Sequence, residues 1–473
     1  MSVAVRVRES AIDRSRRRWS GRSVLVVGLG RSGCAAARHL LAAGARVTAV
    51  DLRPLEELGP EPAALRAAGV AVRCGPHDVS DFLAAEAIVL SPGVPADRPE
   101  VRLARERGAP VLTEIDLVAP AVSSRTVAIT GSNGKSTVTA LVAAMLGEAG
   151  YDAVPCGNFG LPLADAVQGD HPGRRYSLEL SSFQLETTSE LRAAAAVLLN
   201  VQPDHIDRHG TFEAYLAAKA RIAKLRSPGA PLIVVRDDPG AAAVASNAEE
   251  PVLEVSAGGP VGRGGGVEGG RLVLRLGAAP VPVARADALP LPGRHNLANA
   301  LAAACAAATL GAPPEAIRRA LETAAPLPHR LEPCGTVDGV RYVDDSKATN
   351  VAAAVAAVDA LAGEAGTLFV LLGGRDKEGD FSPLAERLAA CRAVPIVFGE
   401  AGEKIAAVLE ARGLAPRRAR TLEEAARAAR AEARAGDVVL LAPACASFDA
   451  FPGFAARGDA FAKLVRRFAG EEP

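Results

Sequence analysis

The sequence predicts an α/β protein in which three sheet-containing units follow one another along the chain. Short apolar runs, such as residues 23–27, alternate with Ala-rich segments of helical composition. Polar or Gly-rich segments follow these runs, as they do at the carboxyl ends of strands in open α/β sheets. The chain has 473 residues, which is too long for one hydrophobic core. We therefore expect three α/β domains with sites that face a shared cleft.

Changes of composition set the expected boundaries of these domains. Residues 1–20 are rich in arginine and lack the apolar stretch of a signal peptide, which predicts a disordered or frayed basic tail. The first domain then spans 21–120 and ends in a segment of Ala, Pro, Val and Ser. The central domain spans 121–326. The third domain spans 327–473 and follows a cluster of prolines.

The overall composition disfavours several classes of function. The formal net charge is zero, which argues against a general nucleic-acid or membrane binder. The Ala-rich segment 299–310 is apolar but too short to cross a bilayer. The seven cysteines are scattered and form no C-x-x-C pair, which disfavours a zinc site or a disulfide framework. A reducing cytoplasm fits this cysteine usage.

The first domain opens with a βαβ unit of the type that binds nucleotides. A buried strand over 23–27 runs into Gly28-Leu-Gly-Arg-Ser-Gly33, which is a G-x-G-x-x-G fingerprint. A helix follows, and the next strand, 46–50, ends before Asp51, the acid expected after the second strand. Further elements are expected at residues 87–90, 100–107 and 111–113. These features predict a Rossmann-like domain.

The central domain opens with the most informative motif of the chain, Thr130-Gly-Ser-Asn-Gly-Lys-Ser-Thr137. An apolar strand over 125–129 precedes it, and a helix over 138–146 follows it. This is the layout of a phosphate-binding loop, in which backbone N–H groups surround the phosphates. Ile129 stands where the longer Walker motif has its first Gly. A turn that binds nothing is the alternative, but the flanking strand and helix favour a nucleotide site. The loop residues expected to bind phosphate are Gly131, Asn133, Gly134, Lys135, Ser136 and Thr137.

Several residues of the central domain are candidates for metal chemistry. Ser136 would offer a hydroxyl ligand to Mg²⁺, as the motif predicts. Glu179 ends an apolar strand beside the loop, and an exposed acid is less consistent with its leucine neighbours. His205 lies in a polar cluster after another strand, where it is a metal or substrate ligand or a structural histidine. Lys219 lies on a helix, and the residues alone favour an ordinary surface lysine there.

The third domain carries polar residues after three of its predicted strands. The strands are expected at residues 340–343, 367–372, 394–398 and 437–441. Two lysines, a threonine and a serine at strand ends would suit a substrate that carries carboxylates. Each alone is consistent with a solvated turn, but three segments at equivalent places weaken that alternative. The four residues are Lys347, Thr349, Lys377 and Ser447.

Eight short motifs occur in a fixed order along nearly the whole chain after residue 20. They are residues 130–137, 179–186, 204–208, 215–219, 293–296, 327–332, 345–350 and 444–447. Together they resemble the motifs of the Mur ligases of peptidoglycan synthesis. Asp344 and Ala442 depart from that pattern, in which Asn and Ser are typical, without weakening the resemblance.

The resemblance implies an ATP-dependent ligase that forms an amide bond. The motifs are most similar to those of the family member that adds D-glutamate to UDP-N-acetylmuramoyl-L-alanine (UDP-MurNAc-L-Ala). ATP would phosphorylate the substrate carboxylate, and the amine of D-glutamate would attack the resulting acyl phosphate. The implied fold has a Rossmann-like UDP-binding domain, a central P-loop ATPase-like domain and a Rossmann-like C-terminal domain. The implied protein is a cytoplasmic monomer that binds neither nucleic acid nor a membrane.

The resemblance also assigns substrate contacts, and the first domain then binds UDP instead of NAD. The diphosphate would lie near Gly30, Arg31, Ser32 and Gly33, the uracil near Asp51, Leu52 and Arg53, and other parts of that substrate near Ser91 and Asn158. The ribose, base or phosphate of ATP would be held by Asn296, Asn299, Arg330 and Asp345. D-Glutamate would be held by Lys347, Thr349, Lys377, Ser447 and Phe454.

Two Mg²⁺ ions are implied as well. Ser136 and Glu179 would bind one of them beside the ATP phosphates, and His205 would bind the other. Lys219 would be carbamylated by CO₂ and would thereby become an anionic oxygen ligand, which suits a hard cation. Lys135 completes the expected catalytic set with Glu179, His205 and Lys219.

Three alternative functions stay open on the sequence. A sibling Mur ligase with a different amino-acid substrate is the first, although the Asp-Asn-Pro-Arg motif typical of the meso-diamino-acid enzymes is absent. An NAD-dependent oxidoreductase is the second, but it leaves the phosphate loop and the third domain unexplained. A non-catalytic nucleotide-binding scaffold is the third, and the presence of Lys135, Glu179 and His205 argues against it.

Overall fold

The computed structural model describes residues 11–364 and 366–470, which form three sheets flanked by helices. We call the parts of the chain around these sheets the first, central and third units. The strand orders are β3-β2-β1-β4-β5 in the first unit, β14-β13-β12-β11-β10-β9-β6-β8-β7 in the central unit and β15-β16-β20-β17-β18-β19 in the third, with the residue ranges given below. The expected α/β fold with three sheet-containing units is confirmed.

The first unit is a parallel five-stranded sheet with helices on its faces. Its strands are β1 Ser23–Val27, β2 Arg46–Asp51, β3 Ala71–Cys74, β4 Ala87–Leu90 and β5 Val111–Leu112. Its helices are α1 Ala11–Arg17, α2 Arg31–Ala42, α3 Pro60–Ala67, α4 Val79–Ala84, α5 Pro99–Glu106 and α6 Glu114–Val122, with 3₁₀ turns at Leu55–Glu57 and Ser123–Arg125. The strand order reverses between β1 and β4, where open sheets bind ligands.

The predicted frayed tail is wrong for residues 11–20, and residues 1–10 lie outside the described residues. Helix α1 packs against α6, and the side chains of Ile12 and Trp19 are 5% and 0% exposed. Ser15 Oγ donates a 2.7 Å hydrogen bond to the carbonyl oxygen of Leu117 in α6. The prediction of a frayed tail followed from the many arginines and gave no weight to Ile12 and Trp19. Burial of these two apolar side chains stabilises the segment.

The central unit contains nine strands, of which seven, from the first to the seventh along the chain, run parallel. Its strands are β6 Thr126–Thr130, β7 Asp152–Gly157, β8 Arg174–Glu179, β9 Ala195–Leu198, β10 Leu232–Val235, β11 Val252–Ser256, β12 Gly264–Glu268, β13 Arg271–Arg275 and β14 Val281–Arg285. Its helices are α7 Lys135–Glu148, α8 Leu163–Ala166, α9 Ser182–Thr187, α10 Ile206–His209, α11 Phe212–Ala220, α12 Pro239–Ala245, α13 Arg294–Thr309 and α14 Pro314–Glu322, with 3₁₀ turns at Arg221–Lys224 and Ala286–Ala288. The last two strands, β13 and β14, join the sheet through antiparallel pairing.

The third unit is a six-stranded sheet that is parallel except at one edge. Its strands are β15 Glu332–Val337, β16 Val340–Asp344, β17 Leu368–Gly373, β18 Val394–Phe398, β19 Arg417–Arg418 and β20 Val438–Leu441. Its helices are α15 Val351–Leu361, α16 Ser382–Cys391, α17 Gly402–Glu410, α18 Leu422–Glu432 and α19 Phe454–Ala469. Strand β15 pairs antiparallel with β16.

Helix α6 lies at the junction of the first and central units, where a domain boundary was expected. The side chain of Glu114 is fully buried there and accepts a 2.9 Å hydrogen bond from the N–H of Ala164 in α8. Burial raises the pKa of Glu114 to about 7. Asp116 accepts bonds of 2.9 and 2.8 Å from the N–H groups of Ser189 and Glu190. The junction is therefore held by buried carboxylates as well as by apolar contacts.

No helix among residues 11–364 and 366–470 has the length and apolarity needed to cross a bilayer.

Candidate active site

The phosphate loop connects the buried strand β6 to helix α7. Gly134, at the N-terminus of α7, has a φ of 82°, which a glycine adopts without strain. A side chain at this position would approach Oδ1 of Asn299 to 2.5 Å. The loop therefore requires Gly134 both for its backbone conformation and for its contact with α13.

The loop is held in shape by hydrogen bonds that its N–H groups donate to the segment after β9. The N–H of Ser132 donates to the carbonyl oxygen of Asn200 at 2.9 Å, and the N–H of Asn133 donates to Oδ1 of Asn200 at 2.8 Å. The hydroxyls of Ser132 and Tyr215 lie 2.9 Å apart. The loop is thus held in one conformation by side chains and backbone groups of the same unit, which is the preorganisation that anion binding requires.

Two lysines meet at the carbonyl oxygen of Gly131. The Nζ atoms of Lys135 and Lys219 each lie 2.8 Å from this oxygen. Lys219 is 1% exposed. The residues alone favoured an ordinary surface lysine at this position, and that expectation is wrong. Burial, followed by the nearby charge of Lys135, lowers the pKa of Lys219 well below its ordinary value. Both effects favour the neutral form of the Lys219 amine.

Glu179 is the buried acid beside the loop. Its strand pairs with β6 so that Glu179 lies opposite Ile129, one residue before Thr130. Nδ2 of Asn158 donates to Oε1 of Glu179 at 2.6 Å, whereas Oε2 is buried and has no hydrogen-bond partner among the described residues. Buried polar atoms without a partner are uncommon, and a free carboxylate oxygen next to a phosphate loop fits a divalent cation.

His205 lies at the start of the short helix α10 with a φ of 55°. Its ring packs edge-on against Phe183 with a centroid distance of 5.1 Å. Burial lowers its pKa, although the carboxylate of Asp204, 3.7 Å from Nε2, opposes the shift. The lowered pKa favours the neutral ring, which is the state in which a histidine binds a metal ion.

These groups surround a cavity of about 220 Å³ between the central and third units. The cavity brings together the four predicted catalytic residues, Lys135, Glu179, His205 and Lys219, with Asn133, Gly134, Ser136, Asn158, Arg330, Lys347 and Thr349. Oxygen and nitrogen donors suited to Mg²⁺ and cations suited to phosphate thus share one enclosed space. Such an arrangement supports phosphoryl transfer, which depends mainly on positioning and charge.

A second, narrower cavity of about 80 Å³ adjoins the first on the side of α13. It contains the predicted ATP residues Asn133, Gly134, Thr137, Asn296, Asn299, Arg330 and Asp345. Nη2 of Arg330 donates to Oγ of Ser136 at 2.9 Å, which joins the third unit to the phosphate loop. Burial raises the pKa of Asp345 to about 7, although Arg330 opposes the shift.

A third cavity of about 640 Å³ lies at the strand-order reversal of the first unit. Its wall contains the predicted substrate residues Gly30, Arg31, Ser32, Asp51, Leu52, Arg53, Ser91 and Asn158. Gly33 lies beneath this wall, where a side chain would approach the carbonyl oxygen of Gly28 to 1.8 Å. Burial alone would raise the pKa of Asp51, but hydrogen bonds from Arg53 and from the N–H of Leu29 outweigh it and lower the pKa.

The residues predicted to form an amino-acid pocket lie in the third unit and at its contact with the central unit. Nζ of Lys347 lies 3.7 Å from the ring centroid of Phe454, and burial, followed by Arg330, lowers the pKa of Lys347 to about 7. Nζ of Lys377 lies 3.2 Å from Oδ1 of Asp204 in the central unit. Ser447 is buried. Lys347 and Thr349 line the 220 Å³ cavity, whereas Lys377, Ser447 and Phe454 are not on its wall.

The sequence did not single out several residues that the structure places at these cavities. Asn350 bridges the two units, since its Nδ2 donates to Oδ1 of Asn133 at 3.2 Å and to Oδ2 of Asp204 at 3.1 Å. His77 and Arg98 lie on the wall of the 640 Å³ cavity. Arg457 is buried in the third unit and donates to the carbonyl oxygens of Ser346 and Ala446, the residues before Lys347 and Ser447. Only Asn350 carried a signal, because it ends one of the motifs in the third unit.

Comparisons with known proteins agree with this arrangement. Residues 22–113 match the model of the MurD-like N-terminal domain of Mur ligases, residues 129–307 match the Mur ligase middle domain, and residues 329–445 match the Mur ligase glutamate ligase domain.

Full-length relatives cover nearly the whole chain. The UDP-N-acetylmuramoylalanine–D-glutamate ligase of Acidobacterium capsulatum is 42% identical over 453 residues, which are 95% of this chain and 97% of that protein. The ligase of the same name from Geobacillus kaustophilus is 39% identical over 454 residues, which are 95% and 98% of the two chains.

Solved structures share the fold at low identity. A pseudomurein peptide ligase type C from Methanothermus fervidus aligns with a TM-score of 0.59 at 18% identity, over 94% of this chain and 100% of that one. The MurF ligase from Thermotoga maritima in complex with ADP aligns with a TM-score of 0.57 at 19% identity, over 96% of each chain.

Proposed function

This chain belongs to the Mur ligase family, and we propose that it joins D-glutamate to UDP-MurNAc-L-Ala at the expense of ATP. It is an ATP-dependent, amide-bond-forming ligase of peptidoglycan precursor synthesis. The relatives that carry this activity in their names are about as long as the chain and align over nearly all of it. The alternative of a sibling ligase with another amino-acid substrate is not favoured by these relatives.

One observation carries the proposal. The phosphate loop, Glu179 and His205 of the central unit face Lys347 and Thr349 of the third unit across a single 220 Å³ cavity. Asn158 lies on the wall of both this cavity and the 640 Å³ cavity, so the two cavities are neighbours. A substrate bound in the large cavity would therefore reach the phosphate loop with one end.

The proposed reaction has two steps. The terminal carboxylate of UDP-MurNAc-L-Ala accepts the γ-phosphoryl group of ATP, and ADP is released. The amine of D-glutamate then attacks the carbonyl carbon, its nitrogen loses a proton, and phosphate leaves. Lys135 and Arg330 would balance the charge on the transferred phosphoryl group, because both residues line the cavity. Phe454 and Lys347, which pack together, would bound the D-glutamate site with Thr349, Lys377 and Ser447.

The donors around the loop fit divalent cations. We propose that Ser136 and Glu179 hold one Mg²⁺ and that His205 helps to hold a second. The unpartnered Oε2 of Glu179 and the neutral ring of His205 support this assignment. Mg²⁺ bound there offsets the negative charge of the phosphates.

We propose further that Lys219 is carbamylated. Its neutral amine would attack CO₂, forming an N–C bond and releasing one proton, so that the product is a carbamate anion. The burial of Lys219 and its position beside Lys135 support this step, since both lower the pKa of the amine and favour its uncharged form. The carbamate would add an anionic oxygen ligand to a site that otherwise has one carboxylate.

The seven cysteines form no disulfide, which supports a cytoplasmic location.

Phosphate release tests the proposed function directly. Release should require ATP, Mg²⁺, UDP-MurNAc-L-Ala and D-glutamate together. Each component is omitted in turn, and D-glutamate is replaced by L-glutamate, L-alanine or a diamino acid with the matching UDP substrate. Faster release with one of these replacements would reassign the chain to a sibling ligase. No release with any combination would contradict the ligase assignment.

A further inference from the structure

Arg457 is buried beneath the proposed D-glutamate site. It lies in the first turn of α19, three residues after Phe454, and is 1% exposed. All five of its N–H groups are used. Nε donates to Oγ of Ser346 at 3.0 Å, and the two Nη atoms donate to four backbone carbonyl oxygens at 2.9 to 3.4 Å. These carbonyls belong to Ser346, Gly373, Cys445 and Ala446.

The acceptors belong to three different loops at the carboxyl ends of the sheet. Ser346 precedes Lys347 after β16, and Ala446 precedes Ser447 after β20. Gly373 ends β17 and begins the loop that carries Lys377. Each loop therefore supplies one polar residue of the proposed D-glutamate site, and one guanidinium group joins all three.

The packing around Arg457 leaves little room for adjustment. A side chain at Gly374 would approach the carbonyl oxygen of Ala446 to 2.2 Å and Nη1 of Arg457 to 2.9 Å. Arg375 and Ala446 exchange backbone hydrogen bonds of 2.8 and 3.0 Å beside it. The loops after β17 and β20 are thus bonded to each other as well as to Arg457.

The charge of Arg457 has no carboxylate partner within ion-pair distance among the described residues. Its acceptors are neutral, and burial lowers its pKa to about 10, with only longer-range compensation from groups such as Asp449 and Asp344. Burying a cation without an anion is costly. A substrate that carries two carboxylates and binds directly above would compensate part of that cost.

We propose that Arg457 is a positioning residue for D-glutamate, which it serves by fixing the three loops that hold Lys347, Lys377 and Ser447. This inference rests on the proposed function, because it takes these lysines and this serine as the amino-acid site. A planar fork with five donors can bridge carbonyls of three loops, whereas a lysine offers three donors from one atom.

The test compares Arg457→Lys with Arg467→Lys, an exposed position on the same helix. Arg457→Lys keeps the charge and loses the fork. We expect the KM for D-glutamate to rise at least about tenfold, with the KM values for ATP and UDP-MurNAc-L-Ala changed less than about twofold. Arg467→Lys should leave all three values unchanged.

A partial reaction separates positioning from a general loss of structure. Without D-glutamate, acyl phosphate formed from ATP and UDP-MurNAc-L-Ala can be trapped with hydroxylamine. Arg457→Lys should form this hydroxamate at close to the wild-type rate, since D-glutamate takes no part in the trapped step. Equal losses in trapping and in D-glutamate use would overturn the inference and leave Arg457 a purely structural residue. An unchanged KM for D-glutamate would overturn it as well.

Ser346→Ala provides a second variant in case Arg457→Lys does not fold. It removes the hydroxyl that accepts from Arg457 and donates to the carbonyl oxygen of Phe454 at 2.8 Å, and it leaves the guanidinium in place. We expect a smaller rise in the KM for D-glutamate, about threefold, with hydroxamate formation unaffected. An unchanged KM in this variant counts against the inference. Phosphate release by the wild-type protein separates failure of the proposed function from failure of this inference. If the proposed function is wrong, the wild-type protein shows no release that depends on D-glutamate.

Discussion

The amino group of Lys219 and the carbonyl oxygen of Gly131 lie 2.8 Å apart, so that a helix of the central unit is bonded directly to the first glycine of the phosphate loop. Tyr215, one turn earlier on α11, places its ring 4.8 Å from the same amino group. Lys219 is thereby enclosed by an aromatic face, a carbonyl oxygen and a second lysine.

Replacing Lys219 should nearly abolish activity. Lys219→Ala removes the nitrogen that carries the proposed carbamate, and Lys219→Arg keeps a positive charge that cannot become an anionic ligand. We expect both variants to be almost inactive in phosphate release. Acetate should partly restore Lys219→Ala, because a small carboxylate fits the vacated space, and it should not restore Lys219→Arg. Wild-type activity of Lys219→Arg would rule out the metal-ligand role.

Lys135 should matter through its charge during phosphoryl transfer. Lys135→Ala leaves the charge on the transferred phosphoryl group less compensated, and such electrostatic contributions are commonly worth about 3 kcal/mol. The turnover number should therefore fall at least about a hundredfold. Lys463→Ala, at an exposed position on α19, is the matched control and should retain wild-type turnover. Near-normal turnover of Lys135→Ala would show that another cation, such as Arg330, performs this role.

The two glycines of the α7 segment should respond in opposite directions to alanine. Gly134→Ala introduces a side chain at a positive φ and against Oδ1 of Asn299, so that the loop and α13 must move. We expect the KM for ATP to rise at least about tenfold. Gly147 lies in the same helix with open space around it, and Gly147→Ala should raise the thermal unfolding midpoint through better helix propensity, worth about 0.5–1 kcal/mol. Equal effects of the two substitutions would contradict the described loop conformation.

The buried carboxyl of Glu114 should make stability depend on pH. Its folded-state pKa of about 7 lies above the ordinary value of 4.5, so the folded protein holds a proton that the unfolded chain has released between these values. The stabilising contribution is present below the ordinary value and is lost as the pH rises through about 7. Raising the pH from about 5 to about 8 should therefore lower the unfolding midpoint of the wild type relative to Glu114→Gln. Glu213→Gln, at an exposed position, should show no such trend. A pH-independent difference between the wild type and Glu114→Gln would refute the raised pKa.

Local patterns predicted the parts of the fold and site in which the deciding information is contiguous. The central parallel strands are short apolar runs, and the phosphate loop is a single motif with a strand before it and a helix after it. Edge strands such as Ala71–Cys74 and Arg417–Arg418 escaped prediction because their side chains are largely exposed and carry no apolar pattern. Their backbone pairing depends on a neighbour that is distant in sequence.

The chemical state of a site residue was harder to predict than its presence. The local sequence predicts a surface position for Lys219. Its burial comes from the packing of α11 against the phosphate loop, and no pattern in the neighbouring residues indicates that packing. Arg457 carried no signal at all, since its acceptors come from positions 346, 373, 445 and 446. The residue-specific resemblance to the Mur ligases indicated the importance of Lys219 but supplied no account of its environment. Desolvation by the surrounding fold, and proximity to Lys135, provide that account.

The position of Trp19 gives this protein an optical reporter of its own. It is the single tryptophan of the chain and is 0% exposed, and the guanidinium groups of Arg18 and Arg22 lie 5.0 and 5.7 Å from its ring centroid. Arg18 also reaches Glu190 of the central unit, 3.8 Å away. Indole fluorescence therefore arises from one place only, close to the contact between the first unit and the central unit, which bears the phosphate loop. A change in the emission of Trp19 on adding a ligand would report a change at this contact, and no added label is needed.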